Sequence, residues 1–224
     1  VIGQQKGRDA KERIRRNFGM PRPEGYRKAL RLMKMAERFS LPVLTFIDTP
    51  GAYPGISAEE RNQSEAIARN LFELSNLRTP VVATVIGEGG SGGALALGLA
   101  DVILMQENAI YSVIAPEGAA AILLHDATRS EELLPALKFR AHDLLELGVI
   151  DDIVPEPPGG AHRDPDAAAR QVLERVVHHL ARLSSIKPKK LVRRRADRYK
   201  AIGRFERSIV HRAREIVARI SGGQ

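Results

Sequence analysis

The sequence predicts an α/β fold, a parallel sheet covered by helices on its faces, from two observations. Short apolar runs alternate with segments of helical period along most of the chain. The runs around 42–48, 80–86 and 102–105 also read as continuously apolar, the pattern of strands buried on both faces.

In chain order, Val1 and Ile2 read as the end of a strand, followed by a polar, basic loop with Gly3, Gly7 and Gly19. Pro21-Arg22-Pro23 starts a helix whose apolar stripe is Tyr26, Ala29, Leu30, Met33 and Ala36. A strand over 42–48 leads into the loop Thr49 to Gly55. Ser57-Ala58-Glu59-Glu60 matches a capping box, predicting one helix from there to about Leu77 with Ile67, Leu71 and Leu74 inward. A strand over 80–86 enters Gly87-Glu88-Gly89-Gly90-Ser91-Gly92-Gly93, and a short apolar helix reaches Ala100. Strands at 102–105 and 110–114 come next, then a small-residue helix opened by Pro116-Glu117-Gly118. A further helix ends at Gly148, and a last strand covers 149–154. Helices fill the rest beyond the loop 155–165. The expected division is a core over 1–184 and a basic helical tail over 185–224, a separate appendage dispensable for chemistry. The tail's partial apolar stripe includes Leu191, Phe205, Ile209 and Val210.

Composition excludes several classes. The chain has no cysteine, so disulfides, thiolate chemistry and a cysteine-ligated zinc site are out. No two of its six histidines stand at the i, i+4 spacing of a helical metal site, and no metal is expected on this chain. Aromatics are 4% and Trp is absent, which disfavours a reader that stacks bases. No apolar run reaches the ~20 residues of a membrane span, and a cytoplasmic protein is expected. Because Val1 already lies in a strand pattern, the chain reads as a fragment of a longer one. The net charge of +8 is unevenly placed. Residues 1–38 hold twelve Lys/Arg against four Asp/Glu, 39–185 ten against twenty, and 186–224 thirteen against three. Both ends are basic and the middle is acidic, which makes the middle one candidate partner for the tail.

The glycine segment is the main chemical signal. Between a strand and a helix, glycines let backbone approach a ligand, and the first turn of the helix offers unpaired N–H groups at the positive end of a dipole. That combination makes an oxyanion or anion site. Close packing of helix on sheet is the lesser alternative for these glycines. Gly87-x-Gly89-x-x-Gly92 with Glu107 beyond it also matches the dinucleotide fingerprint, although the helix after it is short for that unit. No Lys-Ser/Thr follows, so a Walker loop is excluded. One strand earlier, Asp48 to Gly55 supplies a second backbone-exposing loop, and two such loops can aim N–H groups at one point.

Several stretches carry a resemblance. They include IDTPGAYPG at 47–55, AEERNQSEAIARNL at 58–71, VIGEGGSGGALALG at 85–98 and YSVIAPEG at 111–118. QKGR at 5–8, RRNFGMPRPEGYRKALRLM at 15–33 and PEPPGGAHRD at 155–164 agree with them. The chain over 1–184 resembles the carboxyltransferase alpha subunits of bacterial acetyl-CoA carboxylase, members of the crotonase superfamily, without that family's N-terminal helical segment. The resemblance implies a crotonase-like spiral of ββα units with a C-terminal helical appendage. It implies transfer of carboxylate from carboxybiotin, on biotin carboxyl carrier protein, to acetyl-CoA, giving malonyl-CoA for fatty acid synthesis. Another acyl-CoA such as propionyl-CoA is the alternative. It also implies a zinc-ribbon beta subunit holding the zinc, a biotin carboxylase in the same system, and an assembly of two alpha and two beta chains. The N–H groups of Gly89, Gly90, Gly92 and Gly93 are the expected oxyanion donors, with Gly51 and Ala52 as second contributors. Tyr53 and Ser91 are expected to line the substrate site. Lys6 and Arg8 head a basic run that meets CoA phosphates or an acidic partner face, or is merely solvated. Glu88 and Glu117 read as turn-stabilising.

Overall fold

A computed structural model describes residues 1–203, so Phe205, Ile209 and Val210 of the expected tail stripe lie outside the described residues. The elements are β1 (Ile2–Gly3), α1 (Ala10–Arg15), α2 (Pro23–Arg38), β2 (Val43–Thr49), α3 (Ile56–Glu59), α4 (Gln63–Asn76), β3 (Val81–Gly90) and α5 (Ser91–Gly98). Then come β4 (Val102–Gln106), β5 (Ile110–Ser112), α6 (Pro116–Leu123), α7 (Leu134–Leu137), α8 (Ala141–Glu146), β6 (Asp152–Val154), α9 (Pro165–Ser184) and α10 (Pro188–Ala201). The sheet runs β1-β2-β3-β4-β6, every pair parallel, with β5 added beside the far end of β3.

Burial follows strand position. Central β3 is buried on both faces from Val81 to Val85, as continuous apolarity requires. In β2 the residues Val43, Thr45, Ile47 and Thr49 are buried while those between them are only half-buried. One core, containing Met33, Ile47, Leu74, Val85 and Leu97, fills the face under α2, α4 and α5. The other face packs Val82, Leu104 and Val154 against Val172, Val176 and Leu183 of α9 and Leu191 of α10. The stripe expected on α2 is the buried one, with Tyr26, Ala29 and Met33 inside.

The structure corrects four local expectations. The capping box does not form: Ser57 lies inside the single turn α3, and Asn62, at φ 61°, breaks the chain before α4 begins. On α4 the fully buried positions are Ala66, Asn70 and Leu74, and Ile67 and Leu71 flank them half-buried. The loop read after β1 contains the helix α1, capped by Asp9, whose carboxylate accepts the Glu12 N–H at 2.7 Å. The first half of the glycine segment is strand, since β3 continues to Gly90 and pairs Glu88, Gly89 and Gly90 with β5.

The described part of the tail holds the helix α10, and that helix is not detached. Arg195 of α10 is 1% exposed, and all five of its N–H groups find acceptors. Nε and Nη2 reach the Asp101 carboxylate at 2.9 and 2.6 Å, Nη1 bonds Leu74 O and Leu77 O, and Nη2 bonds Thr79 O. Burial pushes the Asp101 carboxyl above its ordinary value, and the guanidinium opposes that shift. One turn on, Tyr199 Oη accepts from Ala100 N–H at 2.8 Å, and Arg198 bonds Asp151 and Val149 O. Part of the tail's positive charge therefore meets the acidic middle, and α10 is built into the same folded unit as the sheet.

Candidate active site at the glycine loops

The two backbone loops meet at the C-terminal ends of β2 and β3. Their closeness is measured by the space a Cβ would find. A Cβ on Gly90 would lie 1.9 Å from Pro50 O, and one on Gly93 would lie 2.3 Å from both Ala52 N and Gly51 C. Either distance is far inside van der Waals contact, so only glycine allows the Pro50–Ala52 peptides to sit there. Gly89 makes room for the Tyr111 ring, whose nearest carbon lies 2.7 Å from the Cβ position. Gly92 differs, because its Cβ position meets nothing nearer than the Ile67 methyl groups at 3.8 and 3.9 Å. The close-packing explanation thus accounts for Gly89, Gly90 and Gly93, and leaves Gly92 over.

The amides divide in the same way. The Gly51 N–H donates to Thr49 Oγ1 at 3.2 Å, and the same hydroxyl donates to Gly51 O at 2.7 Å. Gly51 is therefore engaged internally, which removes it from the expected donor set. Gly89 and Gly93 are buried. Gly92 stands in the first turn of α5, where no intrahelical acceptor exists and no side chain caps the helix. Ala52 is half-buried, and among the described residues its N–H makes no hydrogen bond. Tyr26 fixes the helix from behind, its O–H donating to Gly93 O at 3.3 Å while burial raises the phenol above its ordinary value.

Ser91 carries the unusual backbone. Its φ is 52°, in the left-handed region, although glycines flank it on both sides. A left-handed residue followed by right-handed helix turns successive N–H groups toward one side, the concave arrangement that binds anions. Ser91 is exposed, and it lines a cavity of about 350 Å³ with Pro50, Glu88, Gly90, Ser112 and Phe139. No conformational need explains serine there in place of glycine.

The remaining expected site residues fall at varying distances from this centre. Tyr53 follows Ala52; its N–H donates to Pro21 O at 3.0 Å, and the Arg22 guanidinium stacks 5.0 Å from its ring centroid. Gln63 ties that loop down by donating to both Pro21 O and Tyr53 O. Lys6 reaches the site but is paired with Asp48 and Glu88, so its charge already has partners. Arg8 is exposed at the head of α1, where its backbone N–H donates to the Glu12 carboxylate. Glu117 begins α6. Sequence reasoning missed Thr49, Asp48 and Tyr111. Thr49 is 0% exposed, and a polar residue ending an apolar strand was the available signal for it. Glu107, the acid of the rival dinucleotide reading, accepts the Glu156 N–H, and α5 spans only eight residues. Among the described residues no group of three or more His, Cys, Asp or Glu gathers to hold a metal, and no helix is long and apolar enough to cross a membrane.

Comparison with known proteins shows the family and the fold. The family described as acetyl co-enzyme A carboxylase carboxyltransferase-like matches residues 1–203, which extends the similarity past the 184 residues read from sequence into α10. The acetyl-coenzyme A carboxylase carboxyl transferase subunit alpha of Hydrogenovibrio crunogenus is 61% identical over 206 residues, 92% of this chain and 65% of that one. Its counterpart in Gemmatimonas aurantiaca is 59% identical over 208 residues, with the same coverage. The chain thus spans about 65% of the length of these relatives. Among solved structures, a Pseudomonas malonate decarboxylase hetero-tetramer in complex with coenzyme A superposes with TM-score 0.66 at 17% identity, covering 99% of this chain and 83% of its own. Transcarboxylase 12S superposes with TM-score 0.57 at 23% identity over 68% of this chain and 31% of its own. The fold is the crotonase-like carboxyltransferase fold.

Proposed function

Because the chain belongs to the acetyl co-enzyme A carboxylase carboxyltransferase-like family, we propose that it forms the alpha half of a carboxyltransferase moving carboxylate from carboxybiotin to acetyl-CoA. The observation that carries the reading is the meeting of two backbone loops at one point, with the Gly92 amide left open beside them. In the proposed reaction the bond between the carboxyl carbon and the biotin ureido nitrogen breaks, and CO2 departs. The electron pair stays on the ureido group, with charge gathering on its oxygen. The N–H groups of Gly92 and Ala52 hold that oxygen, supported by Ser91 and Gly90. The ureido nitrogen takes a proton from the acetyl methyl, and the resulting enolate attacks CO2 to give malonyl-CoA. No side chain of this subunit acts as a base. One such donor is worth ~3–4 kcal/mol of barrier.

Charge develops on two oxygens, the ureido oxygen and the thioester enolate, and each needs its own donors. This chain offers one pair of loops, so a beta subunit with its own donors, bearing the family's zinc ribbon, completes the site. The reading places the assembly in the cytoplasm with two copies of each chain, fed by a carrier protein and a biotin carboxylase. The test is malonyl-CoA decarboxylation to acetyl-CoA with free biotin as acceptor. The folded chain alone should be inert, and activity should appear on adding a beta subunit and saturate at equal stoichiometry. Substantial turnover by the isolated chain overturns the shared site. Faster turnover with propionyl-CoA than with acetyl-CoA overturns the acyl assignment.

A further inference from the structure

We propose that Lys6 is a positioning residue, an ammonium clamp that holds the ends of β2 and β3 at the spacing the two glycine loops require. The inference rests on the carboxyltransferase reading for its kinetic consequence, but not for its structural one.

The pairing of β2 with β3 loses register just before the site. Ile47 is opposite Val85 and Thr49 is opposite Gly89, so β3 advances four residues while β2 advances two. Ile86 to Glu88 stand opposite Asp48 alone and bulge from the β2–β3 ladder, and the exit of this bulge sets the direction of Gly89 and Gly90. What holds the bulge is Asp48. Its Oδ1 accepts the Glu88 N–H at 3.1 Å and fills the space beside Gly87, 2.5 Å from where a Cβ would stand. The Asp48 N–H in turn donates to Gln4 Oε1 at 3.1 Å.

This arrangement brings two carboxylates, Asp48 and Glu88, to one place. Lys6 answers both: its Nζ lies 3.0 Å from Asp48 Oδ1 and also bonds Glu88 Oε1. The three side chains are only 25–34% exposed, so solvent screens the carboxylates incompletely. The lysine stem is fixed as well, since Gly19, at φ +80°, passes so close that its Cβ position is 2.8 Å from Lys6 Cγ. Each carboxylate sits just before its loop, Asp48 ahead of Thr49-Pro50-Gly51 and Glu88 ahead of Gly89-Gly90. Without the ammonium, repulsion pushes apart the two strand ends whose contact brings Pro50 O against Gly90. The clamp therefore acts on the reaction through the backbone amides and touches no substrate.

The experiment compares Lys6→Met, Lys6→Arg and the double variant Lys6→Met/Glu88→Gln in the assembled carboxyltransferase. Steady-state kinetics and hydrogen exchange of the amides at 49–52 and 88–93 are read together. Lys6→Met should lower kcat about 10- to 100-fold with KM for acyl-CoA little changed, because small displacements of donors are costly, and exchange in both segments should accelerate. Lys6→Arg should retain most of the activity. The double variant removes the repulsion along with the clamp, and should recover much of both kcat and protection. A rise in acyl-CoA KM at constant kcat would make Lys6 a phosphate contact and overturn the clamp. So would unchanged exchange in Lys6→Met, or a double variant no better than the single one. If the wild-type assembly transfers no carboxylate, the functional reading falls, and the exchange measurements still decide the clamp.

Discussion

The two ends of the β2–β3–β4 region are closed by opposite means. At the C-terminal end, contact depends on missing side chains: Gly90 and Gly93 let the Pro50–Ala52 peptides come within 1.9–2.3 Å of where a Cβ would stand. At the N-terminal end, contact depends on one large side chain, Arg195, which joins α10 to Asp101, Leu74, Leu77 and Thr79. The first arrangement leaves the Ala52 N–H without an acceptor among the described residues and the Gly92 N–H in an uncapped first turn, at the loops proposed as the site. The second uses every donor internally and faces nothing. The difference separates a chemical end from a mechanical one, and it predicts that damage at each end is read by a different measurement.

The largest expected effect is mechanical. Arg195→Ala leaves the Asp101 carboxylate buried without its guanidinium and takes the guanidinium from three carbonyls, of which Leu74 O keeps the Leu77 N–H, and breaking a buried pair in this way costs ~3–5 kcal/mol. Urea unfolding of the variant should show that loss, while turnover per folded molecule in the assembly stays within about two-fold of wild type, since the glycine loops lie at the other end. A stability loss below about 1 kcal/mol would place α10 outside the cooperative unit. The same logic revises the expectation that the tail is dispensable. Deleting residues 187–224 removes Arg195, Arg198 and Tyr199 along with the rest, and should unfold or loosen the core before any chemistry is tested.

The next effect is chemical. Gly90→Val must displace Pro50 O, which lies 1.9 Å from the Cβ position, and so separates the two loops. Carboxyl transfer should fall by roughly 100-fold or more, the scale of losing an oxyanion donor, with circular dichroism near native. The cause is not backbone conformation, because Gly90 has φ −100°, which any residue adopts. Unchanged turnover in a folded Gly90→Val variant would end the oxyanion assignment.

A finer comparison lies within one helix turn. Gly93→Ala places a methyl group 2.3 Å from Ala52 N and should cost about 1–3 kcal/mol, as overpacked cores do. Gly92→Ala meets only Ile67 at 3.8 Å and keeps its amide, so stability should hold or rise by about 0.5–1 kcal/mol from helix propensity. If chemistry needs the Gly92 and Ala52 N–H groups, transfer survives in Gly92→Ala, which disturbs neither, and falls in Gly93→Ala, which displaces Ala52. Thermal melts and single-turnover rates on the pair give the answer. Equal losses in both would mean that the loop acts by shape, and that the amide argument is misplaced.

Much of this division was legible in the residues. Apolar runs and their spacing placed β2, β3 and β4 within a few residues, because buried parallel strands leave little freedom of pattern. The two Gly/Pro segments marked the site, because backbone that must lie close to something cannot carry Cβ atoms. Which glycine serves packing and which stays open was not legible, since that depends on Pro50 and Tyr111, partners brought in by the fold. Nor was Arg195, one among thirteen basic residues after position 185. Its role depends on Asp101, 94 positions earlier, and composition treats both as surface. The capping-box misreading has a similar source. Ser57 and Glu60 have the spacing, but the left-handed Asn62 starts a new helix just beyond them.

Ser91 sits where the two kinds of construction touch, and it gives the smallest expected effect. A left-handed φ costs an L-residue ~1–2 kcal/mol relative to glycine, while glycine loses more entropy on folding, ~0.5–1 kcal/mol. Ser91→Gly should therefore raise stability by about 1 kcal/mol or less, against the direction of most substitutions. If the hydroxyl only tolerates its place, transfer is unchanged. The hydroxyl makes no hydrogen bond among the described residues and lines the cavity beside Gly90, which favours a contact with the charged ureido oxygen of the proposed reaction. Loss of one such hydrogen bond to a charged group is worth ~1.5–3 kcal/mol, roughly a 10- to 100-fold fall in kcat/KM. Ser91→Ala keeps the strain and removes the hydroxyl, so it should lose activity without gaining stability. A stabilised and fully active Ser91→Gly variant would show that the strain serves no chemistry. A stabilised variant with slow transfer would identify Ser91 as a residue kept for function at the expense of the fold.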